Sequence, residues 1–132
     1  MDTLTSPFRS WNGVDAHELF PGVTIHAIGG EQVLMCRVTY APGSVVPMHD
    51  HPEAEQLMFL TDGEVTVTVS DETSTLVAGD VVVINRGVPH ALTSPGGCSF
   101  IEALSPVPQD HIPDFERDIV LGERGDALHV ER

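Results

Sequence analysis

Residues 56–69 read QLMFLTDGEVTVTV, and this stretch decides the fold class. Val65, Val67 and Val69 alternate with Thr66 and Thr68, the period of two expected of a strand with one face buried and the other toward water or a cavity. Residues 56–60 form a second apolar burst. Asp62-Gly63 between the two bursts is a strong signal for a tight turn, so the stretch is expected to be an antiparallel hairpin.

Outward from this stretch the same pattern recurs. On the N-terminal side, residues 23–28 (VTIHAI) end at Gly29-Gly30, and residues 32–40 follow until Ala41-Pro42-Gly43, a second expected hairpin. On the other side Leu76-Val77 breaks at Ala78-Gly79-Asp80 before residues 81–84. Arg86-Gly87-Val88-Pro89 then turns the chain into residues 90–93, and residues 98–104 form a strand stopped by Ser105-Pro106-Val107-Pro108. Helix is scarce, with residues 15–20 as one possible turn. The tail, 119–121 and 127–130 around 122–126, reads as a weak hairpin or an extended arm that packs on a second subunit. Eight or more short strands imply an all-β chain, a closed barrel or a double-sheet jelly roll, which protects its sheet edges. The 132 residues make one domain, with a barrel core over about 22–106 and an extension over 107–132.

Composition narrows the chemistry. Twenty acids against six bases give a net charge of −14, which argues against nucleic acid and anionic membrane surfaces as partners. All six bases are arginine. Without lysine there is no Schiff-base chemistry, no pyridoxal phosphate anchor and no phosphate-binding loop ending in Lys-Ser/Thr. The start, MDTLTSPFRSW, lacks a basic, apolar signal and the longest aliphatic run is residues 81–84, so the expectation is a cytoplasmic protein. Cys36 and Cys98 form no CxxC pair and read as buried small hydrophobes rather than a disulfide or a thiolate zinc site. Histidine and carboxylate remain.

His49 and His51 are two apart in a strand context that follows Gly43 and Pro47, so both imidazoles are expected on one face, able to share one ion. A third ligand is expected four to eight residues on, and a fourth from a distant strand folding back beside the first.

These residues resemble the cupin family. Its first motif, G-x5-H-x-H-x(3,4)-E-x6-G, is met by Gly43, His49, His51, Glu55 or Gln56, and Gly63. Its second, G-x5-P-x-G-x2-H-x3-N, is met by Gly79, Gly87 and His90, with Asn85 in place of the proline and Ser94 in place of the asparagine. The resemblance covers roughly residues 33–106 and implies a double-stranded β-helix, or jelly-roll barrel, around a metal site. Both Glu55 and Gln56 fit the acidic slot, but adjacent strand residues face opposite ways. Six residues separate Gln56 from Gly63, as the motif requires, and Gln56 is in phase with Met58 and Leu60. The ligand set implied is His49, His51, Gln56 and His90, holding one divalent transition metal: zinc, iron, nickel or manganese.

A glutamine ligand neutralises none of the ion's charge, which suits Lewis-acid activation of a carbonyl or enol oxygen in a lyase, isomerase or cyclase reaction on a small molecule. Glu102 shares a face with Phe100 and Leu104 and is either a general acid/base or an outward, solvated carboxylate. His26, Arg37, Tyr40 and His111 are weaker candidates.

Within the family, the stretch from Val46 onward is similar to the uronate-linearising enzymes of pectin degradation, with Glu102 where those carry an aspartate, Leu104 an aromatic and Pro108 an arginine. The same ligand set resembles polyketide cyclases, for which Met35, Met58, Phe59, Phe100 and Leu104 would supply an apolar pocket. The net charge favours a neutral, enolisable ketone over an acidic sugar, since only the metal and Arg37 or Arg86 could receive an anion. An iron-dependent dioxygenase and a non-catalytic small-molecule-binding barrel stay open as alternatives, and the family resemblance implies a homodimer.

Overall fold

The computed structural model of the chain describes residues 7–107, together with the backbone of residues 118–120 and 127–129; Pro108, His111, Arg117 and residues 124–126 lie outside them. Nine strands run through the main body: β1 (His17–Phe20), β2 (Val23–Gly29), β3 (Leu34–Tyr40), β4 (Ser44–His49), β5 (Glu55–Val69), β6 (Glu72–Val77), β7 (Val81–Ile84), β8 (His90–Ser94) and β9 (Cys98–Ser105). They form one antiparallel sheet in the order β1-β2-β3-β9-β5-β8-β4, with β6 and β7 also paired to β5. This is a nearly closed double-stranded β-helix. The described residues contain no helix, hence none long and apolar enough to cross a membrane.

Alternation explains the strands. In β2 and β3 every second residue is buried, so Val23, Ile25, Ala27, Leu34, Cys36, Val38 and Tyr40 face the core while His26 and Arg37 face outward. Residues 23–40 form the expected hairpin, with Val23 opposite Tyr40 and Gly29 opposite Leu34. Residues 17–20 do not form a helical turn: they pair with β2 as an edge strand, Glu18 opposite Thr24, and the ladder satisfies their backbone groups. In the tail, β10 (Asp118–Val120) and β11 (Ala127–His129) pair as an antiparallel hairpin.

The stretch 56–69 departs from expectation. It is not a hairpin but one fifteen-residue strand whose first half pairs with β7 and β9 and whose second half pairs with β6 and β8. Asp62 and Gly63 pair with Ser99 and Cys98, and Thr61 is the extra residue of a β-bulge opposite β9. The bulge reverses which residues face inward. Gln56, Met58 and Leu60 are buried before it; Val65 and Val67 are buried after it. Gly63 is required by φ of +81° and by a Cβ position that would meet the Cys98 Cα at 2.8 Å.

Outward, Met35, Leu57, Phe59, Val81 and Val83 are about half exposed on neighbouring strands. Met35 and Phe59 therefore do not line an internal pocket, because the alternation that buries Cys36 and Met58 turns them to the outer face. Arg37 shares that face, its guanidinium 5.6 Å from the Trp11 ring centroid, a cation–π distance.

Candidate metal centre

A second bulge builds the site. Between Val46 and His49 the β4 strand carries one residue more than β8, so Val46 pairs with Leu92 and His49 with His90. Pro47, which cannot donate to a ladder, sits in this irregular stretch of the terminal strand. The extra residue lets His49 turn inward although Ser44 and Val46 already do. His49 ends β4 rather than opening a strand, and His51 lies beyond it in the following loop. What holds that loop is the Gly87 N–H, which donates to the His51 carbonyl at 2.9 Å and ties it to the turn leading into His90.

The three imidazoles meet, with ring centroids 4.2 Å apart for His49 and His90, 5.2 Å for His49 and His51, and 5.4 Å for His51 and His90. One ligand atom from each lies within 4.8 Å of the others. His49 Nδ1 lies 2.8 Å from the Pro47 carbonyl and His90 Nδ1 lies 2.9 Å from the Val88 carbonyl. A carbonyl only accepts, so each Nδ1 carries the proton and each Nε2 is left with a lone pair. Burial lowers both pKa values, that of His90 to about 4, so these rings are neutral at pH 7. His90 Nε2 is buried without a hydrogen-bond partner, an arrangement that costs free energy unless something binds there. This donor set fits a divalent transition metal.

Gln56 and Glu55 separate as strand geometry demands. Glu55 is exposed, whereas Gln56 is 5% exposed and lines the cavity beside His49 and His51. Its Nε2 donates to Glu102 Oε1 at 2.6 Å, while its own Oε1 is buried without a partner. Glu102 is inward and buried, so the outward, solvated alternative falls. Desolvation raises its pKa to about 7, against the pull of hydrogen bonds from Gln56 and the Cys36 thiol. Cys36 and Cys98 are both buried and free, as expected.

His49, His51, Gln56 and Glu102 border a cavity whose remaining wall is Leu19, Phe20, Val23, Ile25, Val38, Tyr40, Val46, Leu92 and Phe100. Of the five apolar residues expected there, only Phe100 lines it; Met58 and Leu104 are buried in the core. The strand alternation of β2 marks Val23 and Ile25 as inward, whereas the four residues of β1 are too few for alternation to mark Leu19 and Phe20. Among the described residues no arginine borders the cavity, so neither Arg37 nor the exposed Arg86 is placed to receive an anion. His26 is likewise outside the cavity, and Tyr40 is inside it, edge-on to Phe100 at 5.3 Å.

Among solved structures, KdgF from Halomonas sp. superposes with a TM-score of 0.72 at 21% identity, over 80% of this chain and 97% of that one. A cupin described as RmlC-like from Shewanella frigidimarina gives 0.73 at 20% identity, over 82% and 97%. Both likenesses concern the fold. In sequence, germin-like protein 8-14 of Oryza sativa subsp. japonica is 34% identical over 105 residues, and auxin-binding protein ABP19a of Prunus persica is 33% identical over 104. Each alignment takes in 73% of this chain but 47% of the relative, so the chain spans about half the length of these proteins. The family profile described as the cupin domain matches residues 36–103, which run from the strand carrying Cys36 through His49, His51 and His90 to the strand carrying Glu102. With fold, histidine cluster and profile in agreement, the chain belongs to the cupin family.

Proposed function

We propose that this protein is a mononuclear metal-dependent enzyme that promotes a non-redox lyase, isomerase or cyclase reaction of a neutral, enolisable carbonyl compound. The observation that carries it is the placement of a buried carboxyl, Glu102, in the same largely apolar cavity as His49, His51 and Gln56, with His90 fully buried in the same histidine cluster. A divalent ion held by His49, His51, His90 and the Gln56 carbonyl would supply Lewis acidity toward a carbonyl or enol oxygen. Gln56 adds no negative charge that would weaken this. Glu102, poised near pH 7, holds or accepts a proton beside the bound molecule. The apolar wall excludes water and accepts an uncharged body.

A uronate has less support, since among the described residues no arginine borders the cavity. A dioxygenase using Glu55 has less support, since Glu55 faces away from it. The homodimer is part of the same proposal, supported by the half-exposed apolar residues Met35, Leu57, Phe59, Val81 and Val83 on the outer face, and sedimentation of the purified chain measures it.

The test combines metal analysis of purified variants with anaerobic turnover of the zinc form on a panel of ketones, enols and uronates. Gln56→Ala is expected to lose most of its metal and Glu55→Ala to keep it, with turnover confined to neutral substrates. The opposite metal ranking, oxygen uptake by an iron form, or tight binding of an unaltered ligand without turnover would each overturn the reading.

A further inference from the structure

The Gln56 side chain poses a question of polarity that its shape does not answer. An amide has two ends of similar size, one an acceptor and one a double donor, and only its neighbours decide which end faces which way. Gln56 lines the cavity together with His49 and His51, and its side chain is hydrogen-bonded to Glu102. The carboxyl receives the Gln56 Nε2–H at 2.6 Å inside the buried interior of the barrel. With the amide nitrogen engaged by the carboxyl, the Gln56 oxygen is left buried without a protein partner.

We infer that Glu102 is a positioning residue of the metal centre: it fixes the orientation of the Gln56 amide so that the carbonyl oxygen, not the NH2 group, is presented to the ion. This rests on Gln56 being a ligand, as proposed above, and adds a duty to Glu102 beyond moving protons. Remove the acceptor, and the Gln56 NH2 loses its buried partner. The amide can then turn its donor end toward the histidines, where it repels a cation. Groups that orient metal ligands in this way typically contribute about 10–100-fold in affinity.

The experiment is a double-mutant cycle read by zinc affinity of the metal-free protein in competition with a chromophoric chelator. Glu102→Met, of similar volume, is expected to weaken zinc binding by about 10–100-fold. Gln56→Ala should weaken it at least as much, and the double variant no further than Gln56→Ala alone, because Glu102 acts through Gln56. Cobalt substitution gives a second readout: the visible spectrum of Glu102→Met should move toward that of Gln56→Ala. Should Glu102→Met fold poorly, Glu102→Gln replaces it. Its amide can donate as well as accept, so a loss of the same sign and smaller size is expected. Zinc affinity unchanged in both Glu102 variants while Gln56→Ala weakens would overturn the inference and leave the ligand assignment standing. Losses that add in the double variant would also overturn it, since Glu102 would then act on the ion directly. An unaffected Gln56→Ala would remove the ligand assignment, and the inference with it.

Discussion

Gly63 and Gly79 offer a controlled comparison of backbone conformation against space. Both hold a positive φ, +81° and +98°, which an L side chain rarely adopts. Alanine at either position therefore meets backbone strain of about 1–2 kcal/mol. At Gly79 nothing else stands within 4 Å of the new Cβ. At Gly63 the Cβ would meet the Gly97 carbonyl oxygen, the Cys98 Cα at 2.8 Å and the Cys98 Cβ at 3.1 Å. Those atoms are largely β9 backbone and its approach, held by the ladder to β5, and cannot swing aside as a flexible side chain can. Forcing them apart costs about 1–3 kcal/mol more, the range for overpacking a tightly packed site. The expectation is a loss of about 1–2 kcal/mol for Gly79→Ala and about 2–5 kcal/mol for Gly63→Ala. Urea unfolding followed by circular dichroism, with slopes compared so that midpoints report stability, measures both. Equal losses in the two variants would refute the argument, because they would mean that the bulge in β5 yields freely and that close approach to β9 does not constrain it.

Two further predictions follow from burial. Leu60 is fully buried and Leu57 is 42% exposed, so Leu60→Ala should cost about 2–5 kcal/mol and Leu57→Ala under about 1 kcal/mol, again by urea unfolding. In metal-free protein, burial lifts the Glu102 pKa from 4.5 to about 7, so the folded state binds more protons than the unfolded state between those values. The stability Glu102 contributes is fully present below pH 4.5 and is lost as pH rises through 7. Relative to Glu102→Gln the wild type should therefore lose about 3 kcal/mol between pH 4.5 and 8. Because the lowered pKa values of His49 and His90 act with the opposite sign in both proteins, the difference between the two unfolding series is the quantity to measure.

Much of the architecture is legible in the residues because strand alternation is a local property. The β2–β3 hairpin, the short β7 and β9 can be read without knowing their partners. The errors fall where a partner decides. Asp62-Gly63 has the chemistry of a turn, but positive φ at glycine serves a bulge equally well, and only the presence of β9 alongside selects the bulge. The inward change from Leu60 to Val65 carries the same ambiguity, since a hairpin also permits it. Residues 17–20 contain too few alternations to announce a strand, and pairing with β2 supplies the rest. At the site, the spacings of His49, His51 and His90 are visible in the chain and the structure brings the three together. The cavity wall was less visible, because the bulges and the true β1 decide which apolar residues face it.

The through-running β5 has a kinetic consequence. The groups around the metal centre come from the end of β4, the loop after it, the first half of β5, and β8, and β8 docks on the second half of the same β5. None of these encounters is local except the step from β4 into β5. The long-range pairings needed to close the barrel must be in place before His90 reaches His49, so the histidine cluster that could hold an ion is complete only in a nearly finished fold. Metal would then act as a latch on the completed barrel: its stabilisation falls mainly on the rate of unfolding, with the rate of folding little changed.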